Sequence, residues 1–279
     1  MRHRIRAVRY ESEDRVIYDA VMEYLCRNWK EDLTVAGLMI SVGKYFLGIP
    51  YARSTLETEG GEILVINLRE FDCFTFVENV VVMAWMIGQG ECTFEDYAAS
   101  LERIRYRDGI VHEYPSRLHY FLDWLSDNEK KGIVKDVTGK IGGMSFRKNI
   151  HYMTSHRDAY PMVSSAKVYE EMRAVESNLS ERSFCYIPKE EYTQHDIAIE
   201  EGDIIAITTD IEGLDIVHVG IAVRLDRETH LLHASEIEKK VVISDAALNE
   251  YLLSRKTMTG IMVGRLIQVC RNDGNLRTI

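Results

Sequence analysis

The sequence predicts an α+β fold: helices from the first half of the chain packed on an antiparallel sheet from the second. Apolar residues recur at helical spacing through the first 130 or so positions. From residue 204 the pattern changes to short β-branched runs separated by turn residues. Helices come first and strands second, without the strict alternation that builds a parallel sheet.

In chain order, Ile17, Ala20, Val21, Tyr24 and Leu25 predict a helix over 14–27. Leu33, Ala36, Ile40 and Phe46 predict another over 32–47, stopped by Gly48-Ile49-Pro50. Leu64 to Leu68 reads as extended. Residues 73–87 are apolar nearly all round, as a buried central helix is, and Gly88 and Gly90 end it. Thr93 with Asp96 caps a helix over 94–105. Residues 116–130 form an amphipathic helix in which Tyr120, Phe121 and Trp124 read as core, and a further helix fits 165–179. Strands are expected at 204–208, 216–223, 231–234 and 241–243. A hairpin tip is expected at Asp226-Arg227-Glu228, a short helix after Ser244 and a final strand over 259–267. With no repeat and no linker, the chain reads as one catalytic domain spanning 1–279. Its core is at about 32–88 and 200–267, with a largely helical insertion at about 90–195.

The chain has 279 residues, enough to bury a core without disulfides or metal. A net charge of −10 argues against nucleic acid and against a polybasic membrane surface. Arg2, Arg4, Arg6 and Arg9 make a local basic patch, read as an exposed terminus. No apolar run is long enough to insert into a membrane. Five cysteines at scattered positions show neither a disulfide framework nor a zinc spacing, so no metal and no cofactor are expected.

The chemistry concentrates in a few residues. A cysteine attacks as thiolate, and a helix N-terminus or a nearby histidine lowers its pKa. Cys73 begins the strongest predicted helix, after Asp72 at a capping position. His218 interrupts a β-branched strand in Val217-His218-Val219-Gly220-Ile221, and His233 does the same in Leu231-Leu232-His233-Ala234-Ser235. Neighbouring antiparallel strands can put both imidazoles on one face. His112, His151, His156, His195 and His230 carry no motif and read as surface or loop residues.

Five segments occur in order: Gly48-Ile49-Pro50-Tyr51, Asp72-Cys73-Phe74-Thr75-Phe76-Val77, Gly202-Asp203-Ile204-Ile205, His218-Val219-Gly220-Ile221 and His233-Ala234-Ser235. Together they resemble the NlpC/P60 superfamily of cell-wall cysteine hydrolases. Between them, Arg105-Tyr106-Arg107-Asp108-Gly109 and the stretch from Tyr114 to Trp124 resemble the DUF1460 type of N-acetylmuramoyl-L-alanine amidase-like proteins. The resemblance implies a papain-like core and hydrolysis of the amide between the muramic acid lactyl group and L-alanine in peptidoglycan fragments (muropeptides). It implies Cys73 as nucleophile, His218 as base and His233 as its orienter. The Cys73 backbone N–H would donate to the oxyanion, with the Tyr51 hydroxyl as a second donor unless Tyr51 is simply core. Asp72 either caps the helix or contacts substrate. Tyr114, Arg117, His119 and Ser235 are taken as substrate contacts. Two departures stand out. Phe74-Thr75 replaces the usual Ser-Gly after the nucleophile, and the gap between His218 and His233 is longer than usual.

Three other functions compete. An endopeptidase could cut the D-Glu to diamino-acid bond with the same residues. A zinc enzyme could use Cys73, His218 and His233. A non-catalytic module could bind the cell wall. The resemblance implies a periplasmic or cell-envelope location; no signal peptide is visible, and cytosolic recycling of muropeptides is the alternative.

Overall fold

The computed structural model describes residues 8–28, 34–58, 60–90, 92–267, 269–272 and 275–278. Of the basic patch, Arg2, Arg4 and Arg6 lie outside them.

A short parallel pair, β1 (Val8–Arg9) and β2 (Leu64–Val65), brackets two helices, α1 (Ser12–Asn28) and α2 (Val35–Tyr45). Thr34 caps α2, its hydroxyl accepting from the Gly37 N–H at 3.1 Å. The central helix α3 (Cys73–Gln89) is buried on almost every side and ends at Gly90 in the left-handed region. Helices α4 (Phe94–Arg105) and α5 (Phe121–Lys130) follow. The predicted helix over 116–130 begins later than its apolar spacing suggested, because Tyr114–Ser116 forms a separate 3-10 turn.

The insertion is less helical than expected. Besides α6 (Tyr152–Ser155), α7 (Ala166–Glu181) and α8 (Tyr192–His195), it supplies strands β3 (Val134–Asp136), β4 (Met144–Phe146) and β5 (Phe184–Pro188). These short strands carry little alternation of their own. They are held by pairing: β3 and β5 both lie along β10 (Met258–Leu266). The remaining strands are β6 (Ile204–Thr209), β7 (Ile216–Leu225), β8 (Glu228–Ser235) and β9 (Lys240–Ile243). They complete an antiparallel sheet in the order β4-β5-β10-β6-β7-β8-β9. Asp226 and Arg227, both at positive φ, make the predicted tight turn between β7 and β8. A terminal pair, β11 (Val269–Asn272) with β12 (Asn275–Thr278), follows.

One sheet face, carrying Ile204, Ala206, Val219, Ile221 and Leu232, packs with α2 and α3 into the main core. The other, carrying Ile205, Ile207, Ala222, Leu231 and Val263, packs with Leu248 and Leu252 of α9 (Leu248–Leu253). The alternation of period two along β6 and β7 therefore fills both cores at once. His230, read from sequence as a surface residue, is buried in β8 with its Nδ1 at 2.8 Å from the Ser244 carbonyl oxygen. No helix among the described residues is long and apolar enough to cross a membrane.

Candidate active site

A cleft of about 290 Å³ opens where the N-terminus of α3 meets the start of β7. Asp72, Cys73 and Phe74 line it from the helix, and Asp215 to Val219 from the strand. The helix starts here for a clear reason. Asp72 Oδ1 accepts the Phe74 and Thr75 N–H groups at 3.0 and 2.7 Å, and Thr75 Oγ1 accepts the Asp72 N–H at 3.0 Å, a complete capping box. Thr75, one of the two departures from the resemblance noted in the sequence, thus closes the cap. Phe74, the other departure, packs edge-on against Phe121 and Trp124 of α5 at 6.3 and 5.8 Å. The capping reading of Asp72 is what the structure shows.

Cys73 is the first residue of the helix, so its N–H has no intrahelical acceptor. Its sulfur is met by the backbone N–H of Val219, the residue after His218. The Cys73 thiol and the His218 ring line the same cleft without a hydrogen bond between them. The expected lowering of the thiol pKa is not found. Burial, reinforced by the Asp72 charge, pushes it up to about 12, outweighing the N–H groups of Val219, Cys73 and Phe74. Burial also holds His218 well below its ordinary value, with His233 and Arg255 adding to the effect. At rest the site holds a neutral thiol and a neutral imidazole.

The two histidines meet directly: His218 Nε2 lies 2.6 Å from His233 Nδ1. Local irregularity allows it. Val217 is an extra residue between the Ile207–His218 and Thr208–Ile216 pairs, a bulge that re-aims the strand. The β7–β8 ladder stops at Ile221–Leu232, and Gly220 leaves room for the second ring, since a Cβ there would sit 3.0 Å from His233 Cβ. Burial lowers His233 to about 4. Tyr251 of α9 packs on both rings, stacked on His218 at 6.2 Å and edge-on to His233 at 5.8 Å. Sequence reasoning missed Tyr251, because a tyrosine in a short helix carries no signal of its own.

Tyr51 is half-buried; burial raises its hydroxyl pKa, and a charge on Cys73 would raise it further. The phenol is near enough to the thiol to feel that charge, but Tyr51 is not among the residues that line the cleft. Tyr114, Arg117 and His119 line the cleft from the insertion. Arg117 is not a free substrate hook. It is buried, paired with Glu57 at 2.7 Å and with Glu62 at 3.5 Å, and lies 4.9 Å above the Tyr114 ring. His119 donates Nε2–H to the Tyr114 carbonyl at 2.9 Å, and burial together with Arg117 keeps it neutral. Ser235 is not brought to the cleft: its hydroxyl accepts the Glu238 N–H at 3.1 Å, closing the β8–β9 turn. Beneath the cleft, Glu78 of α3 and Arg105 of α4 form a buried pair at 2.8 Å. Asp215, also unanticipated, accepts the Leu122 and Ile216 N–H groups at 3.0 and 2.9 Å and so ties α5 to β7. Tyr152, Met153 and Tyr160 complete the insertion wall. Among the described residues no three His, Cys, Asp or Glu side chains converge as a metal site would require.

A family model described as AmiA-like, N-acetylmuramoyl-L-alanine amidase-like, matches residues 41–261. An N-acetylmuramoyl-L-alanine amidase from Bacteroides uniformis superposes with a TM-score of 0.80 at 39% identity, covering 83% of this chain and 98% of that one. A Bacteroides fragilis protein, described provisionally as a xylanase, gives 0.76 at 40% identity, covering 80% and 98%. A Legionella pneumophila protein assigned to the DUF1460 family gives 0.66 at 22% identity over 91% and 93%, a likeness of fold alone. No curated protein matches the chain significantly.

Proposed function

The chain belongs to the AmiA-like family of N-acetylmuramoyl-L-alanine amidase-like proteins, and on that premise we propose that it is a cysteine amidase of peptidoglycan fragments. The bond cut is the amide between the muramic acid lactyl group and L-alanine. One observation carries the reading: a thiol at the first turn of a buried helix shares a cleft with an imidazole whose far nitrogen is held by a second imidazole. A nucleophile, a base and an orienter are the parts an acyl transfer needs. Their placement on a helix start and a sheet strand supports a papain-like core of the NlpC/P60 kind.

Because the resting thiol is neutral, His218 takes its proton as the sulfur attacks the lactyl carbonyl, rather than holding an ion pair beforehand. The C–S bond forms and the carbonyl becomes an oxyanion, facing the Cys73 N–H and the Tyr51 hydroxyl. The C–N bond then breaks, and His218 returns the proton to the leaving alanine amine. Water attacks the thioester with His218 again as base, releasing the muramic acid carboxylate and the thiol. His233 steadies the imidazolium in both steps.

Glycoside hydrolysis is the weaker reading. It needs two carboxyl groups free to act on a sugar bond. Here Glu57 is paired with Arg117, Glu78 with Arg105, Asp72 caps α3, and Asp215 receives two backbone N–H groups.

Digesting purified muropeptides with wild type and Cys73→Ala, then weighing the products, tests the proposal. Free peptide beginning with alanine, made only by wild type, supports it. An intact sugar–L-Ala–D-Glu fragment would instead establish the endopeptidase, and binding without turnover by either protein the wall-binding module.

A further inference from the structure

The charges that line the cleft decide what can bind there. Two cations line it, and both are paired: Arg105 with Glu78 at 2.8 Å, and Arg117 with Glu57 at 2.7 Å and Glu62 at 3.5 Å. Of the four carboxylates that line it, Asp72 caps α3, Glu78 is buried against Arg105, and Asp215 receives two backbone N–H groups. The fourth, Glu57, is open, with 41% of its side chain exposed. An ionised carboxylate has about four acceptor sites, so Arg117 leaves most of them to a ligand. A run of contacts leads from there to His119. Arg117 lies 4.9 Å over the Tyr114 ring, which is 4.3 Å from the His119 ring. His119 is half-buried, with its Nε2 at 2.9 Å from the Tyr114 carbonyl oxygen. A carbonyl only accepts, so the ring proton sits on Nε2. Burial and the Arg117 charge keep a second proton off the ring. Nδ1 is left as a bare acceptor, with no protein donor among the described residues.

We propose that Glu57 and His119 Nδ1 are the acceptor pair of a sugar subsite, taking hydroxyl and acetamido N–H donors of the muramic acid ring, with Tyr152 and Tyr160 along its face. This rests on the amidase reading above and says which half of the substrate lies at the insertion wall. The two halves differ in what they offer. The ring is rich in donors and uncharged, because its lactyl carboxyl is already in the amide. The stem peptide carries free carboxylates, whereas this part of the cleft has an exposed carboxylate and no unpaired cation among the described residues that line it. Peptide placed there would set like charges together. The ring placed there gives a charged acceptor its donors, the stronger kind of hydrogen bond. Tyr152, braced by His156 at 4.0 Å, and Tyr160 add flat, half-buried faces for the apolar side of the ring. Arg117 holds Glu57 in place before the ligand arrives, so little side-chain freedom is lost on binding. Arg117 is thus a positioning residue for the acceptor.

The test measures binding rather than turnover. Calorimetry on the full chain carrying Cys73→Ala uses two probes, a sugar–tetrapeptide muropeptide and the free tetrapeptide. The muropeptide should bind at least about tenfold more tightly. Adding Glu57→Gln should weaken muropeptide binding about tenfold, and His119→Phe about three- to tenfold, as loss of a charged and of a neutral acceptor does. Tetrapeptide affinity should move by less than about twofold in either. Glu57→Gln keeps a carbonyl oxygen for Arg117, and it decides the matter if His119→Phe does not fold. Equal weakening of both probes would place the peptide against Glu57 and overturn the subsite, and so would a muropeptide affinity untouched by Glu57→Gln. The amidase reading is judged separately, by whether wild type releases the alanine-terminated peptide.

Discussion

His218 Nε2 lies 2.6 Å from His233 Nδ1, so one proton lies along the line between a half-buried ring and a buried one. For His218 to keep Nδ1 free as a base, its proton must sit on Nε2 and be donated to His233. The second imidazole then selects the tautomer and orientation of the first.

On the proposed mechanism, removing His218 should cost far more than removing His233. His218→Ala should lower kcat by at least about 10³-fold, in the range typical of general-base loss. His233→Ala should cost about tenfold to a hundredfold, as outer-sphere orienters do. His233→Asn, which keeps an acceptor, should recover part of the loss. Steady-state kinetics with matched circular dichroism spectra check this, and equal losses for both histidines would contradict it.

Cys73 should behave as a protected thiol in the free protein. With its pKa pushed up to about 12 by burial and by Asp72, iodoacetamide should modify it more slowly at pH 7 than it modifies a free cysteine. The rate should still be climbing above pH 9. An alkylation profile with its inflection below pH 8 would show a preformed thiolate and overturn the order of proton transfer given above. Cys73→Ala should abolish turnover with Tm essentially unchanged.

Gly220→Ala tests why a glycine follows Val219. Its Cβ would meet Leu231 Cγ at 2.7 Å and His233 Cβ at 3.0 Å. Leu231 and His233 must both give way, at a cost of about 1–3 kcal/mol. Activity should fall more steeply than stability, because the displaced ring is His233. Urea melts alongside kcat measure the two losses separately.

Asp215 should leave a signature in stability against pH. Burial raises its carboxyl from 3.8 to about 6, so the folded state disfavours the charged form. Above pH 6 that penalty is fully present, up to about 3 kcal/mol. As pH falls through 6 toward 3.8 the folded state takes up the proton first, and the penalty fades. The gap in unfolding free energy between wild type and Asp215→Asn should therefore shift in favour of wild type between pH 7 and pH 4. A gap independent of pH would show that Asp215 is not buried as charge.

Sequence periodicity located α1, α2, α3 and α4 because each has a long apolar face, helped at α3 by Asp72 and at α4 by Thr93, whose hydroxyl accepts the Asp96 N–H at 3.1 Å. The strands β6 to β9 were legible through β-branched runs. The insertion strands β3, β4 and β5 were not, because strands of three to five residues take their conformation from the partner they pair with. In the site, Cys73, His218 and His233 stood out as polar residues in apolar settings, and the structure brings them together. Arg117 was visible but its surroundings were not: Glu57 and Glu62, which neutralise it, lie some 60 positions away. Tyr251 and Asp215 owe their roles to long-range packing, which no local pattern records. The raised thiol pKa has the same origin, since burial by distant segments outweighs the helix end that sequence reveals.

The way β3 and β5 lie along β10 bears on how this protein could change its substrate. A lid joined only through loops can be exchanged like a cassette. Here the segment between α3 and β6 continues the sheet, and cutting it out would strip hydrogen-bond partners from Gly260–Ile261 and Gly264–Leu266 and expose a sticky border. Selectivity is thus free to drift through side chains on the wall, such as Tyr152 and Tyr160, while the wall itself stays welded to the sheet that carries His218 and His233.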